Sequence, residues 1–148
     1  MLTRLRLTPR ALLLLPLTAL ACRSQVTQPI GVTWHRVVGL IDNGGVAGEA
    51  LVVPDTVRAG VPFTAAVATF GSSCIHPDGA DLQVGGLLAA ITPYDSVPSQ
   101  PPFCVADIRA FPRSVGLLFT SSGSGVVRLH GRGFDGDLTL ERTVIVRP

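Results

Sequence analysis

Residues 126–147, VVRLHGRGFDGDLTLERTVIVR, contain the clearest structural signal in the chain. Apolar and polar residues alternate in both halves of this stretch, and Val127 and Leu129 share one face of the first half. Alternation with a period of two residues is typical of a half-buried β-strand. Asp135-Gly136, between the halves, predicts a two-residue turn. We therefore expect the two halves to pair as an antiparallel hairpin.

Short runs of β-branched and apolar residues continue upstream of this hairpin. Turn-forming residues separate them, and they cover 34–41, 49–53, 62–70, 81–94, 104–111 and 114–120. Within the run 81–94, the alternative is a short helix over 87–91. Each sheet must bury one face, so a list of this kind favours a β-sandwich. Residues 34–148 are predicted to form one all-β domain, an antiparallel β-sandwich of about seven to nine strands.

Three further segments carry turn or loop signals. Asn43-Gly44 predicts a hairpin that returns the chain from 34–41 to the next run. Residues 71–79, GSSCIHPDG, have the composition of a loop. Residues 93–102 contain four prolines and are predicted to form an exposed, extended loop.

The first 22 residues have the layout of a secretory leader. Three arginines precede the apolar run 11–20, and a small residue follows it. The run is shorter than the about 20 residues that a membrane-spanning helix needs. Residues 1–21 are therefore predicted to be a signal peptide.

Leu20-Ala21-Cys22 resembles the lipobox of bacterial lipoproteins, with Ala19 where that family usually has leucine. The resemblance implies cleavage before Cys22, acyl chains such as palmitate on its sulfur, and a membrane anchor on the periplasmic or extracellular side of the cell envelope. Residues 22–33 are polar and irregular, and are predicted to be a tether.

Residues 53–67, VPDTVRAGVPFTAAV, and the closing hairpin are similar to the first and last strand pairs of bacterial immunoglobulin-like domains of exported proteins. This resemblance covers about residues 50–148 and implies an immunoglobulin-like sandwich. Trp34 precedes Cys74 and Cys104, so the tryptophan–disulfide pin of antibody domains is not expected.

Charge argues against nucleic acid as a partner. The chain has 12 basic and 10 acidic residues, and removing the three leader arginines leaves 9 against 10, a net charge of −1. A near-neutral domain lacks the basic face that phosphate backbones require.

Lipidation of Cys22 would leave Cys74 and Cys104 as an even pair in a compartment that permits disulfides. A disulfide is the favoured prediction, and two buried thiols or a metal pair are the alternatives. In the metal alternative, Cys74 and His76 would join another histidine, His35 or His130, in a periplasmic metal-binding or carrier protein.

The remaining motifs have structural explanations. Residues 131–136 match G-x-G-x-x-G, but a hairpin turn lies inside the match and no helix follows. No Gly-x-Ser-x-Gly motif is present, and we expect neither a catalytic site nor a cofactor.

Arg128, His130 and Arg132 form a basic stripe on the outward face of one predicted strand. The stripe is a candidate binding surface for an acidic glycan, a lipid headgroup or an anionic partner. The alternative is a solvated face balanced by Glu141. The sequence thus predicts a non-enzymatic, lipid-anchored envelope protein that binds a protein or glycan, or has a structural role.

Overall fold

The computed structural model of the chain describes residues 31–45, 48–100, 103–105 and 107–148. The predicted signal peptide 1–21, the lipidation site Cys22 and most of the predicted tether lie outside the described residues. The described part contains only strands and irregular connections, so it has no helix long and apolar enough to cross a bilayer.

Nine strands make up the described fold, which confirms the all-β prediction and the expected number of strands. They are β1 (Trp34–Val38), β2 (Leu51–Val52), β3 (Thr56–Arg58), β4 (Phe63–Gly71), β5 (His76–Gly85), β6 (Leu88–Pro98), β7 (Arg109–Leu117), β8 (Gly123–Arg132) and β9 (Asp137–Arg147). The alternative helix over 87–91 is wrong, because these residues begin β6.

Six strands form the larger sheet, in the order β1-β6-β8-β9-β3, with β5 also paired to β6. Along one edge of β6, residues 88–91 pair with β8 and residues 94–98 pair with β1. The other edge of β6 pairs with β5. The β3–β9 and β6–β8 pairs are parallel, so this sheet is mixed rather than wholly antiparallel as predicted.

The smaller sheet is antiparallel, with the order β2-β4-β7. Both sheets contribute to one hydrophobic core. Its members include Ala65, Val67 and Leu117 from the smaller sheet and Ala89, Ile91, Val127, Leu129 and Val144 from the larger one. Two sheets that bury their inner faces against a shared core form a β-sandwich arrangement.

The predicted closing hairpin is present as β8 and β9, which pair from Gly123↔Val146 to Arg132↔Asp137. The N–H of Gly133 donates to the carbonyl of Gly136 at 2.6 Å. The turn is therefore centred on residues 134–135, one position before the predicted Asp135-Gly136.

The predicted hairpin at Asn43-Gly44 is wrong, although the chain does turn there and Gly44 has a φ of 62°. β1 pairs with β6, whereas β2 pairs with β4 in the other sheet. Just before the turn, residues 39–41 form backbone hydrogen bonds with both sheets. The N–H of Gly39 donates to Pro93 in the larger sheet, and the carbonyl of Leu40 accepts from Phe70 in the smaller one.

The prolines of 93–102 do not exclude a strand, because β6 continues to Pro98. Pro93 is buried, and its carbonyl pairs with Gly39 although its nitrogen has no proton to donate. On the facing strand β5, the register shifts between Pro77 and Ala80, opposite this part of β6. Because the ladder is irregular at this point, it tolerates the missing backbone N–H of Pro93. The predicted loop 71–79 is correspondingly shorter, since β5 begins at His76.

Close to Pro93 on β6, a buried ion pair connects the two sheets. Nη2 of Arg113, on β7, donates to Oδ1 of Asp95, on β6, at 2.7 Å, and Asp95 is only 2% exposed. The hydroxyl of Thr69, on β4, donates to the same carboxylate at 2.8 Å and accepts from Arg113 at 2.5 Å. We refer to Thr69, Asp95 and Arg113 as the inter-sheet triad.

The second terminal nitrogen of the Arg113 guanidinium, Nη1, fixes the backbone around the triad. Nη1 donates to the carbonyls of Gly79 at 2.7 Å and Tyr94 at 2.6 Å. Gly39 packs so closely against the triad that an added Cβ would lie 2.3 Å from Cγ2 of Thr69 and 2.9 Å from Oδ2 of Asp95. The crossing of the chain between the sheets therefore requires glycine at position 39.

Replacing Arg113 with methionine, which keeps most of the side-chain volume, should lower the free energy of unfolding by about 3–5 kcal/mol, because Asp95 is left buried and unpaired. The control is Glu141→Gln, which breaks the exposed pair with Arg128 and should cost less than about 1 kcal/mol. Urea denaturation followed by circular dichroism measures both effects. Equal losses in the two variants would contradict the stabilising role of the triad.

Candidate functional site

A disulfide joins Cys74 to Cys104, as predicted, with an S–S distance of 2.06 Å. It connects the short β4–β5 turn to the long β6–β7 connection. The N–H of Val105 also donates to the hydroxyl of Ser73 at 3.1 Å, which gives the two connections a second contact. Two otherwise independent segments are thus held together at one end of the sandwich.

The disulfide removes the basis for the metal alternative. A disulfide sulfur carries no thiolate, and the thiolate is the cysteine form that binds zinc or copper. The ring of His76 packs against Trp34 with the ring centroids 4.8 Å apart. Within the described ranges, no three histidine, cysteine or acidic side chains converge as a metal site.

Reducing the disulfide should destabilise the domain, because the bond closes a loop with a sequence separation of 30 residues. The chain-entropy relation gives a loss of about 3–4 kcal/mol. The measurement is the urea midpoint with and without a phosphine reductant. A Cys74→Ala/Cys104→Ala variant should start at the lower midpoint and show no further response to the reductant. A wild-type midpoint that does not change on reduction would contradict the prediction.

The basic stripe lies on the outer face of β8, and each of its side chains contacts a neighbouring strand. Arg128 donates to Glu141 at 2.6 Å, and His130 lies 2.8 Å from the hydroxyl of Thr139. Arg132 donates to the backbone carbonyl of Val38 at 2.7 Å. Glu141 thus balances part of the charge, as the alternative interpretation expected. The stripe as a binding surface stays a prediction.

A second polar group on the same sheet was not predicted from the sequence. The outer-face cluster consists of Arg36, Asp78, Asp81, Tyr94 and Ser96, on β1, β5 and β6. The guanidinium carbon of Arg36 lies 3.6 Å from the centroid of the Tyr94 ring, within the range of a cation–π contact. The same guanidinium lies 3.4 Å from Asp81 and 4.0 Å from Asp78.

The side chains of this cluster are held by one another and remain accessible. The hydroxyl of Ser96 donates to Asp78 at 2.8 Å. The side chains of Arg36, Asp78 and Asp81 are 45%, 42% and 58% exposed. An accessible group of donors and acceptors with fixed positions can exchange hydrogen bonds with a polar partner at little entropic cost.

The sequence contained only a partial signal for this cluster. Tyr94 and Ser96 alternate with buried Pro93 and Asp95, which is a strand pattern, but the prolines favoured a loop. Their neighbours come from β1 and β5, and local patterns do not identify which strands will pair. Both segments predicted as loops, 71–79 and 93–102, nevertheless contribute residues to the cluster.

Comparison of the chain with protein families, with curated proteins and with solved structures found no significant match.

Proposed function

We propose that the protein is a non-enzymatic, lipid-anchored binding module of the cell envelope. The observation that carries the proposal is the Cys74–Cys104 disulfide. Structural disulfides persist in oxidising compartments and are rare in a reducing cytosol. A disulfide in a chain whose first 22 residues have the layout of a secretory leader supports export of the domain.

The same disulfide leaves Cys22 as the remaining cysteine of the three in the chain. This cysteine follows the apolar run directly, where the lipobox resemblance places the acylated residue. A thiol that is needed for acylation cannot also be a disulfide partner, so the pairing of the other two cysteines agrees with the proposed anchor.

The intact mass of protein extracted from membranes tests this proposal directly. We expect the mass of residues 22–148, plus a diacylglyceryl group with or without an N-acyl chain, minus two hydrogen atoms for the disulfide. A Cys22→Ser variant should be found without lipid and outside the membrane fraction. A full-length precursor with three reduced thiols would contradict the proposal.

The outer-face cluster is the surface that we propose for partner binding. It combines an aromatic ring, a guanidinium and two carboxylates in a fixed arrangement, which suits a polar protein or glycan surface. With two carboxylates facing one guanidinium, the cluster does not favour an anionic partner. The basic stripe of Arg128, His130 and Arg132 is a second surface of the same sheet.

A photo-crosslinking residue at Gln83, on the exposed face of β5 beside the cluster, should capture a partner in intact cells. The control position is Val52, which is 50% exposed on the smaller sheet. We expect a discrete adduct at position 83 that weakens when Arg36→Ala is added, and none at position 52. Identical products at both positions would contradict a binding role for this face.

A further inference from the structure

The described chain enters the sandwich at a defined place. The N–H of Ser99 donates to the carbonyl of Thr33 at 2.8 Å, and Nδ1 of His35 lies 3.4 Å from the hydroxyl of Ser99. β1 begins at Trp34, opposite Pro98 at the end of β6. The residues that precede β1 therefore enter beside the start of the β6–β7 connection.

Apolar side chains are exposed at this same end, which we call the tether end. They are Val32, Trp34, Phe103, Val105 and Ile108, with exposures of 45%, 43%, 101%, 54% and 50%. A chain of contacts links the two segments that carry them. Trp34 contacts His76, which closely follows Cys74 in the chain, and Cys74 is bonded to Cys104, the neighbour of Phe103.

The position of the proposed anchor limits how far this end can lie from a membrane. Nine residues, 22–30, separate a lipid on Cys22 from the first described residue. Fully extended, nine residues span about 30 Å, and a flexible chain of that length averages about 17 Å between its ends. A short tether keeps the surface from which it emerges at a high effective concentration near the bilayer.

We propose that the tether end docks on the phospholipid bilayer, with Trp34 and Phe103 at the boundary between headgroups and acyl chains. The inference rests on the proposed lipid anchor and adds a second contact with the membrane. Tryptophan combines a large apolar ring with an N–H donor, which suits the membrane interface. Moving a fully exposed phenylalanine ring out of water lowers the free energy.

The charges near this end favour an apolar contact over attraction to anionic lipids. Arg36 lies near Asp78 and Asp81, and Arg109 is paired with Asp107. Paired charges give little net attraction to a negative surface. Docking is therefore expected on zwitterionic phosphatidylcholine, with little dependence on salt concentration.

Trp34 is the only tryptophan in the chain, so its fluorescence reports on this end alone. The lipidated protein is reconstituted into phosphatidylcholine vesicles with or without lipid brominated near the interface. We expect the brominated lipid to reduce the emission of Trp34 by about half. The reduction should be the same at salt concentrations of about 0.1 M and about 1 M. Unchanged emission would overturn the proposal.

The variant Phe103→Ser/Val105→Ser should lose most of this quenching. The matched control is Val61→Ser/Leu118→Ser, which removes two exposed apolar side chains, 50% and 41% exposed, just beyond the far ends of β4 and β7. The control should retain the quenching, and thermal unfolding verifies that both variants fold. Equal quenching in the two variants would overturn the assignment of the docking surface.

The intact mass of the same preparation separates this result from the proposed function. A protein without lipid on Cys22 would contradict the anchor itself. A lipidated protein whose Trp34 is not quenched would leave the anchor in place and exclude only the docking.

Discussion

The buried contact of Arg113 with Asp95 is the constraint on which the rest of the sandwich depends. A charged pair removed from water is tolerated only when good geometry and further hydrogen bonds compensate for desolvation. Thr69 and the carbonyls of Gly79 and Tyr94 supply those bonds here. Because these groups belong to both sheets, a slip of either sheet by one residue would bury unpaired charge. The contact therefore favours a single packing of the two sheets.

The same contact determines what the larger sheet presents to solvent. Successive residues of a strand point to opposite faces, so burial of Asp95 places Tyr94 and Ser96 outward. On the inner side of the sheet, Arg113 donates a hydrogen bond to the carbonyl of Tyr94. On the outer side, Arg36 forms a cation–π contact with the ring of Tyr94. The exposed cluster and the buried triad thus share one short segment of β6, with Tyr94 and Ser96 on its outer face and Asp95 on its inner face.

Local patterns predicted the features that local physics controls. The β8–β9 hairpin, the number of strands and the pairing of Cys74 with Cys104 all follow from alternation, turn chemistry or cysteine number. The failures at Asn43-Gly44 and at Pro93 have a common cause. Turn and breaker signals describe only the backbone of their own residues, whereas pairing depends on distant strands. Gly39 had no signal in the sequence, because its need for close approach arises from Thr69 and Asp95.

The hydrophobic core packs the two sheets together, whereas the disulfide positions exposed residues at the tether end. Phe103 and Val105 lie in the connection between β6 and β7, which belong to different sheets. The bond from Cys104 to Cys74 fixes that connection beside the start of β5, and His76 of β5 contacts Trp34. Two exposed aromatic rings, distant in sequence, are thereby held at one end of the domain. If the chain is exported and lipid-anchored as proposed, the same covalent bond also organises the surface that we propose faces the membrane.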